Sequence, residues 1–156
     1  LAMQSAIPRE IMISLHSPDS CALSMHRESM VSLIDNLMSN AVKCSPPKSR
    51  IAVSVKSGKE SVQLSVADAG PGIPPEFRSR VFERFYRLPR RDEEGSGLGL
   101  SIAERAAARN FGAICLQDGR NGIGLTVTVE FKHVITADET SSRSLYTHKS
   151  LNYMAQ

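Results

Sequence analysis

Cysteine is scarce and scattered. The three present, Cys21, Cys44 and Cys115, are odd in number and far apart. They fit neither a zinc-ligand spacing nor a disulfide framework, so they read as reduced thiols in a cytosolic setting. Histidine is equally uninformative: His16, His26, His133 and His148 fall in no metal-ligand spacing and read as structural or solvated. No apolar run approaches the roughly 20 residues that span a bilayer, and no basic-then-apolar leader opens the chain. Positive charge is short too. The net charge is +3 with no long basic run, which argues against a nucleic-acid partner. What remains is ordinary: 156 residues, 41% hydrophobic and 22% charged, enough for one globular domain with a real core. The chain begins at Leu1 rather than Met, which reads as a cut fragment. Residues 1–9 are expected to be a linker or a cloning remnant, and 10–132 the domain.

Taken in order, Glu10–His16 alternates as a strand with Ile11, Ile13 and Leu15 on one face, and a short second strand is expected at Cys21–Met25. Glu28–Cys44 is the clearest helix. Met30, Leu33, Ile34, Leu37, Met38 and Ala41 form one apolar stripe, ended by Ser45-Pro46-Pro47. Arg50–Lys56 and Ser61–Ala67 read as a hairpin turning at Gly58-Lys59. Pro74-Pro75-Glu76 opens a short helix to about Val81. Phe82-Glu83-Arg84-Phe85-Tyr86-Arg87 follows, with Phe82 and Phe85 read as a hydrophobic plug, then a charged loop over Pro89–Glu94. A second helix runs to about Asn110 and is expected to be capped by Gly112. Ala113–Gln117 and Leu125–Phe131 are strands joined by a glycine-rich turn. Residues 133–156 are rich in Ser and Thr and read as a poorly ordered extension, partly vector-derived.

Three features carry chemistry. Asp68 continues the inward parity of Val62, Leu64 and Val66, then Gly70-Pro71-Gly72-Ile73-Pro74 turns the chain. A carboxylate on an apolar face needs hydrogen-bond donors, and none is evident nearby. Asp68 is either a ligand-reading group on a pocket floor, with Gly70 and Gly72 letting the ligand approach, or a solvated turn opener. Asn36, Asn40 and Lys43 form a second helical stripe beside the apolar one. They suit a polyanion with its magnesium, or are a solvated flank. Gly95-Ser96-Gly97-Leu98-Gly99-Leu100 puts glycines at alternate positions before a helix, whose exposed N–H groups and partial positive charge make an anion cradle. It is neither a P-loop, for lack of a following Lys-Ser or Lys-Thr, nor the dinucleotide fingerprint.

These stretches, with the Phe82–Arg87 segment between them, resemble in order the asparagine box, first glycine box, phenylalanine box and second glycine box of the catalytic ATP-binding domain of bacterial two-component sensor histidine kinases. The resemblance covers roughly residues 10–132. The wider superfamily includes gyrase-type, Hsp90-type and mismatch-repair ATPases. The phenylalanine box and the compact loop after it are similar to the kinase branch. The fold implied is a two-layer α/β sandwich, a mixed sheet of about five strands covered by three helices (the Bergerat ATP-binding fold). The ligands implied are ATP and Mg²⁺. By position, Asn40 is similar to the magnesium asparagine, with Asn36 assisting, and Lys43 and Arg87 to basic residues at the phosphates. Asp68 matches the adenine-reading aspartate, with Gly70, Gly72 and Ile73 in the turn that passes the base. Gly95, Ser96, Gly97, Leu98, Gly99 and Leu100 match the lid hinge and phosphate cradle, and Leu88–Glu94 the lid.

Two positions depart from the pattern. Cys44 stands where the family usually has an aromatic, and Met25-His26-Arg27-Glu28 lacks a small acidic turn. Superfamily ATPases carry a water-activating glutamate where this chain has Asn36. An amide takes no proton, so transfer to an external nucleophile is expected instead of hydrolysis. No His-Glu or His-Asp motif opens a helical hairpin here. The resemblance therefore implies a phosphoacceptor histidine on a separate dimerisation domain upstream. It also implies a response regulator as onward acceptor, and a membrane-anchored parent with this domain in the cytoplasm. The alternatives are a nucleotide-binding regulatory module without transfer activity and an ATPase subunit of the gyrase or Hsp90 kind.

Overall fold

One mixed five-stranded sheet organises the computed structural model, which describes residues 9–88 and 96–132. The elements in chain order are β1 (Met12–His16), α1 (Arg27–Cys44), β2 (Arg50–Ser57), β3 (Ser61–Ala67), α2 (Gly99–Arg109), β4 (Gly112–Asp118) and β5 (Leu125–Lys132). Across the sheet the order is β1-β2-β3-β5-β4, with β1 and β2 parallel and the other neighbours antiparallel.

The period-2 pattern sets the two faces. Val62, Leu64 and Val66 of β3 lie opposite Phe131, Val129 and Val127 of β5, and all six are buried. The residues between them point the other way. Ser65 and Thr128 share a hydrogen bond of 3.0 Å, and Ser61 donates to Glu130 on the same half-exposed face. A one-residue slip would exchange the faces, so burial pins the register. The apolar face receives Leu33, Leu37, Met38, Ala41 and Val42 of α1 and Ala103, Ala106 and Ala107 of α2. The alanines of α2 are small, which lets the two helices pack closely.

The helix ends are held by distant groups. His26, at the N-cap of α1, makes no side-chain cap. Its backbone N–H donates instead to Asn110 Oδ1 at 2.7 Å, and Asn110 Nδ2 donates to the Ala106 carbonyl. The missing acidic turn before α1 is thus replaced by a buried amide from the end of α2. At the other end, Arg9 donates to the carbonyls of Val42, Lys43 and Ser45. Arg9 falls in the stretch read from sequence as a lead-in, yet it closes the C-terminus of α1.

Several expectations need correction. The helix expected over Pro74–Val81 is two short 3₁₀ turns, Pro75–Phe77 and Arg80–Phe82. The described residues therefore hold two α-helices rather than three. Only Val81 is buried across both turns, so no apolar stripe sustains a longer helix. Cys21–Met25 forms no strand. β1 is the sheet edge beside β2 alone, and the chain runs from it directly into α1. Leu15, on the face of Ile11 and Ile13, and Ile34, in the apolar stripe of α1, are 66% and 40% exposed, because the β1 edge and the outer flank of α1 lie beyond the packed layer. The residue that turns left-handed after α2 is Phe111 (φ 54°), not Gly112. Gly112 opens β4, where a Cβ would come within 2.6 Å of the Phe131 ring. The tail 133–156 lies outside the described residues.

Two substitutions test this packing by chemical denaturation. Leu33 is fully buried, so Leu33→Ala is expected to lower stability by about 2–5 kcal/mol. Phe111 is left-handed and 75% exposed, so Phe111→Gly is expected to raise stability by about 0.5–1 kcal/mol.

Candidate functional site

The polar flank of α1 faces a cavity of about 300 Å³. Asn36, Asn40 and Lys43 line one wall, and Cys44, one turn beyond Asn40, extends it. Asp68, Gly72 and Ile73 of the turn after β3 line a second wall, and Ser96 to Leu100 at the start of α2 a third. Arg87 completes the set of expected residues on the lining. From Asn36 to Cys44 the helical rise places about 12 Å of α1 along the cavity.

Asp68 is held by backbone. Its Oδ1 accepts from Gly70 N at 2.8 Å and from Leu125 N at 3.1 Å, and its own N–H donates to the Leu125 carbonyl at 2.9 Å. The sequence suggested no donor for this carboxylate. The donors are main-chain groups, one two residues on and one brought alongside by the pairing of β3 with β5. The same turn is pinned from outside, where Arg78 Nε donates to the Ile73 carbonyl at 2.9 Å and its guanidinium pairs with Asp118.

The glycines divide by role. Gly72 (φ 71°) lines the cavity, and a Cβ there would lie 2.8 Å from the Gly124 carbonyl. Gly70 is absent from the lining. It is buried, and a Cβ would sit 2.7 Å from the Cys44 carbonyl, so its bareness lets the turn pack under the end of α1. At Gly99 a Cβ would lie 2.7 Å from Asn40 Oδ1 and 2.8 Å from Asn40 Nδ2. The first turn of α2 therefore rests against the Asn40 amide. Leu98, at its N-cap, supplies no side-chain cap. The helix end thus presents N–H groups and partial positive charge beside Asn40. Gly97 (φ 65°) packs on the backbone of Phe85 and accepts its N–H at 2.9 Å. Gly95 and the lid segment 89–94 lie outside the described residues.

Asn36 Nδ2 donates to the Ser32 carbonyl at 2.8 Å, which turns Oδ1 toward other partners. Lys43 and Arg87 are exposed at the rim. Among the described residues no cluster of three His, Cys, Asp or Glu could hold a metal. Any cation here would rest on amide oxygen and on its own ligand's oxygens, which suits magnesium and not zinc. Of the expected plug, Phe82 packs on the core, while Phe85 is 68% exposed in a left-handed conformation. Tyr86 was not singled out, yet it lines the cavity, its ring 4.4 Å from the Arg80 guanidinium. Cys44, the position that departs from the family's aromatic, also lines it, one helical turn beyond Asn40. No described helix is long and apolar enough to cross a membrane.

Residues 25–135 match the family described as histidine kinase-, DNA gyrase B-, and HSP90-like ATPase, and the chain belongs to that family. Its relatives within the family are sensor kinases. It is 35% identical over 125 residues to the swarming motility regulation sensor protein RssA of Serratia marcescens, covering 78% of this chain and 27% of the relative. It is also 35% identical over 127 residues to the sensor protein kinase PmrB of Pseudomonas aeruginosa, covering 81% of this chain and 26% of the relative. The chain thus spans about a quarter of each of these relatives. Among solved structures, the mycobacterial sensor histidine kinase MprB superposes with a TM-score of 0.75 at 27% identity, over 84% of this chain and 90% of that one. The catalytic domain of histidine kinase ThkA shares the fold, with a TM-score of 0.73 at 22% identity over 83% and 85% of the two chains. The particular member is therefore a catalytic domain of the sensor histidine kinase type.

Two glycine substitutions separate site from scaffold. At Gly99 the obstacle is the far end of a flexible side chain. Gly99→Ala is therefore expected to displace the Asn40 amide while leaving the melting temperature within about 4 °C of wild type. At Gly124 (φ 82°) a Cβ would lie 2.0 Å from the Asp68 carbonyl. Backbone cannot yield there, so Gly124→Ala is expected to cost more than about 2 kcal/mol. Thermal melts and the Asn40 side-chain amide NMR signals read both.

Proposed function

We propose that this cavity binds Mg-ATP and donates the γ-phosphoryl to a histidine on a separate dimerisation and phosphoacceptor domain, for onward transfer to a response regulator. The observation that carries this reading is the convergence on one cavity of a backbone-anchored carboxylate, Asp68, and an amide, Asn40, set against an uncapped helix start. The first suits the exocyclic amine of adenine, the second a phosphate chain with its metal.

In this reading Asp68 accepts from the base, with Gly72 and Ile73 flanking it. The apolar part of the lining, including Val66, Val127 and Leu125, receives the ring faces. Asn40 Oδ1 would hold magnesium, assisted by Asn36 Oδ1. The metal, when bound, offsets charge on the phosphate oxygens. Ser96, Gly97, Leu98, Gly99 and Leu100 offer N–H groups and the α2 dipole to the phosphates, with Gly95 in the same loop. Lys43 and Arg87 add positive charge at the rim, where developing negative charge is stabilised. Asn36 has no basic atom with which to activate water, so the residues hold and orient ATP for an outside nucleophile. The whole protein is proposed to be membrane-anchored, with this domain on the cytoplasmic side.

Asp68→Asn keeps an oxygen for the Gly70 and Leu125 N–H groups but turns an acceptor into a donor. It is expected to weaken a magnesium-bound non-hydrolysable ATP analogue by at least about tenfold in calorimetry, and the GTP analogue less. Wild-type protein giving no heat and no thermal shift would remove the nucleotide reading. Radiolabelled ATP supplied with an isolated phosphoacceptor domain is expected to yield phosphohistidine, and Asn40→Ala to abolish it. Binding without any transfer would leave a nucleotide-binding regulatory module. Steady hydrolysis without acceptor would favour an ATPase subunit.

A further inference from the structure

The geometry points to Arg9 as a positioning residue for the Asp68 end of the cavity, acting through the C-terminus of α1. This rests on the reading of the cavity as a nucleotide site. The last carbonyls of a helix have no partner within it and carry partial negative charge. Here Arg9 Nη1 donates to Val42 O at 2.6 Å and to Lys43 O at 3.2 Å, and Nη2 donates to Ser45 O at 2.7 Å. One planar guanidinium thus ties together the residues on both sides of Cys44. Lysine could not reproduce that fork.

What Arg9 holds is the end of the cavity wall. Lys43 and Cys44 line the cavity. The Cys44 carbonyl lies against Gly70, close enough that a Cβ there would meet it at 2.7 Å and Asp68 Oδ1 at 3.0 Å. Ser45 is fully buried, and its Oγ lies 3.5 Å from the Ala69 N–H. A shift of the α1 end therefore presses on the turn that aims Asp68. Asn40 is one helical turn farther away and is braced separately by Gly99.

Arg9 is itself fixed. Its carbonyl accepts from Lys48 N at 2.9 Å, and Met12 N donates to Ser49 O at 2.9 Å. Glu10 (φ 55°) and Lys48 (φ 61°) are both left-handed, and their side chains pair at 3.9 Å on the surface. Non-glycine residues in that conformation cost about 1 kcal/mol or more each and persist where the surroundings over-determine them. The segment entering β1 is thus built to a set position against the end of α1. Arg9 is part of the site's support and more than a tether.

The test uses the full chain with Cys21→Ser and Cys115→Ser, both exposed positions, so that Cys44 is the remaining thiol. Arg9→Gln is expected to raise the rate of Cys44 alkylation by iodoacetamide, in ligand-free protein well below its melting temperature, by about fivefold or more. It is expected to weaken the magnesium-bound ATP analogue by about tenfold while leaving magnesium tripolyphosphate within about twofold. Arg9→Lys, which keeps the charge, is expected to fall between. Equal loss of both ligands, or unchanged alkylation with unchanged affinity, would overturn the proposal, since general destabilisation does not single out the base. If the parent chain binds neither ligand, the nucleotide reading fails by itself. The alkylation rates of Arg9→Gln and Arg9→Lys then still decide whether Arg9 positions the end of α1.

Discussion

One carboxylate oxygen joins the parts of this domain. Asp68 Oδ1 gathers N–H groups from the turn that follows it and from the first residue of β5. Buried or half-buried main-chain donors must find partners, and here a single side chain satisfies two from different elements. The interaction closes the end of the β3–β5 ladder and sets the turn that forms one wall of the cavity. Glycine is required around it for contact reasons. Gly70 makes room for the end of α1, and Gly124 makes room for the Asp68 carbonyl. The carboxylate that faces the cavity is therefore also a structural tie.

The helices are braced in a related way. α1 carries few local start signals of its own: His26 is a poor cap, and only Glu28 marks its first turn. Its two ends are closed by Asn110 and Arg9, residues far away in sequence. Close packing against the alanines of α2 then brings the glycine start of one helix onto the asparagine flank of the other. An amide oxygen beside an uncapped helix start is a site for oxygen-rich anions and hard cations. Burial drives the helix contact; the polar geometry follows from it.

Much of this was legible beforehand. Strong periodicity located α1 and all five sheet strands to within about two residues, because burial on one face imposes a period the eye can count. The order of boxes named the family. Weak periodicity misled. The Pro74–Val81 stretch has helix-opening prolines but no apolar stripe, and it settled as 3₁₀ turns. Gly112 looked like a cap because glycine often is one, yet the ring of Phe131 is what excludes a side chain there. At Gly70 the local pattern gave no sign that the Cys44 carbonyl lies where a side chain would stand.

The sequence by itself determined the alternating faces, the apolar stripe of α1 and the set of residue types able to meet a nucleotide, since these depend on residue spacing within single elements. Only the tertiary structure decided which groups satisfy Asp68, which glycines serve packing, and that Arg9 closes α1. Those outcomes are contacts between residues separated by up to 57 positions. No local pattern encodes such contacts, and they exist only once the apolar faces have been buried together.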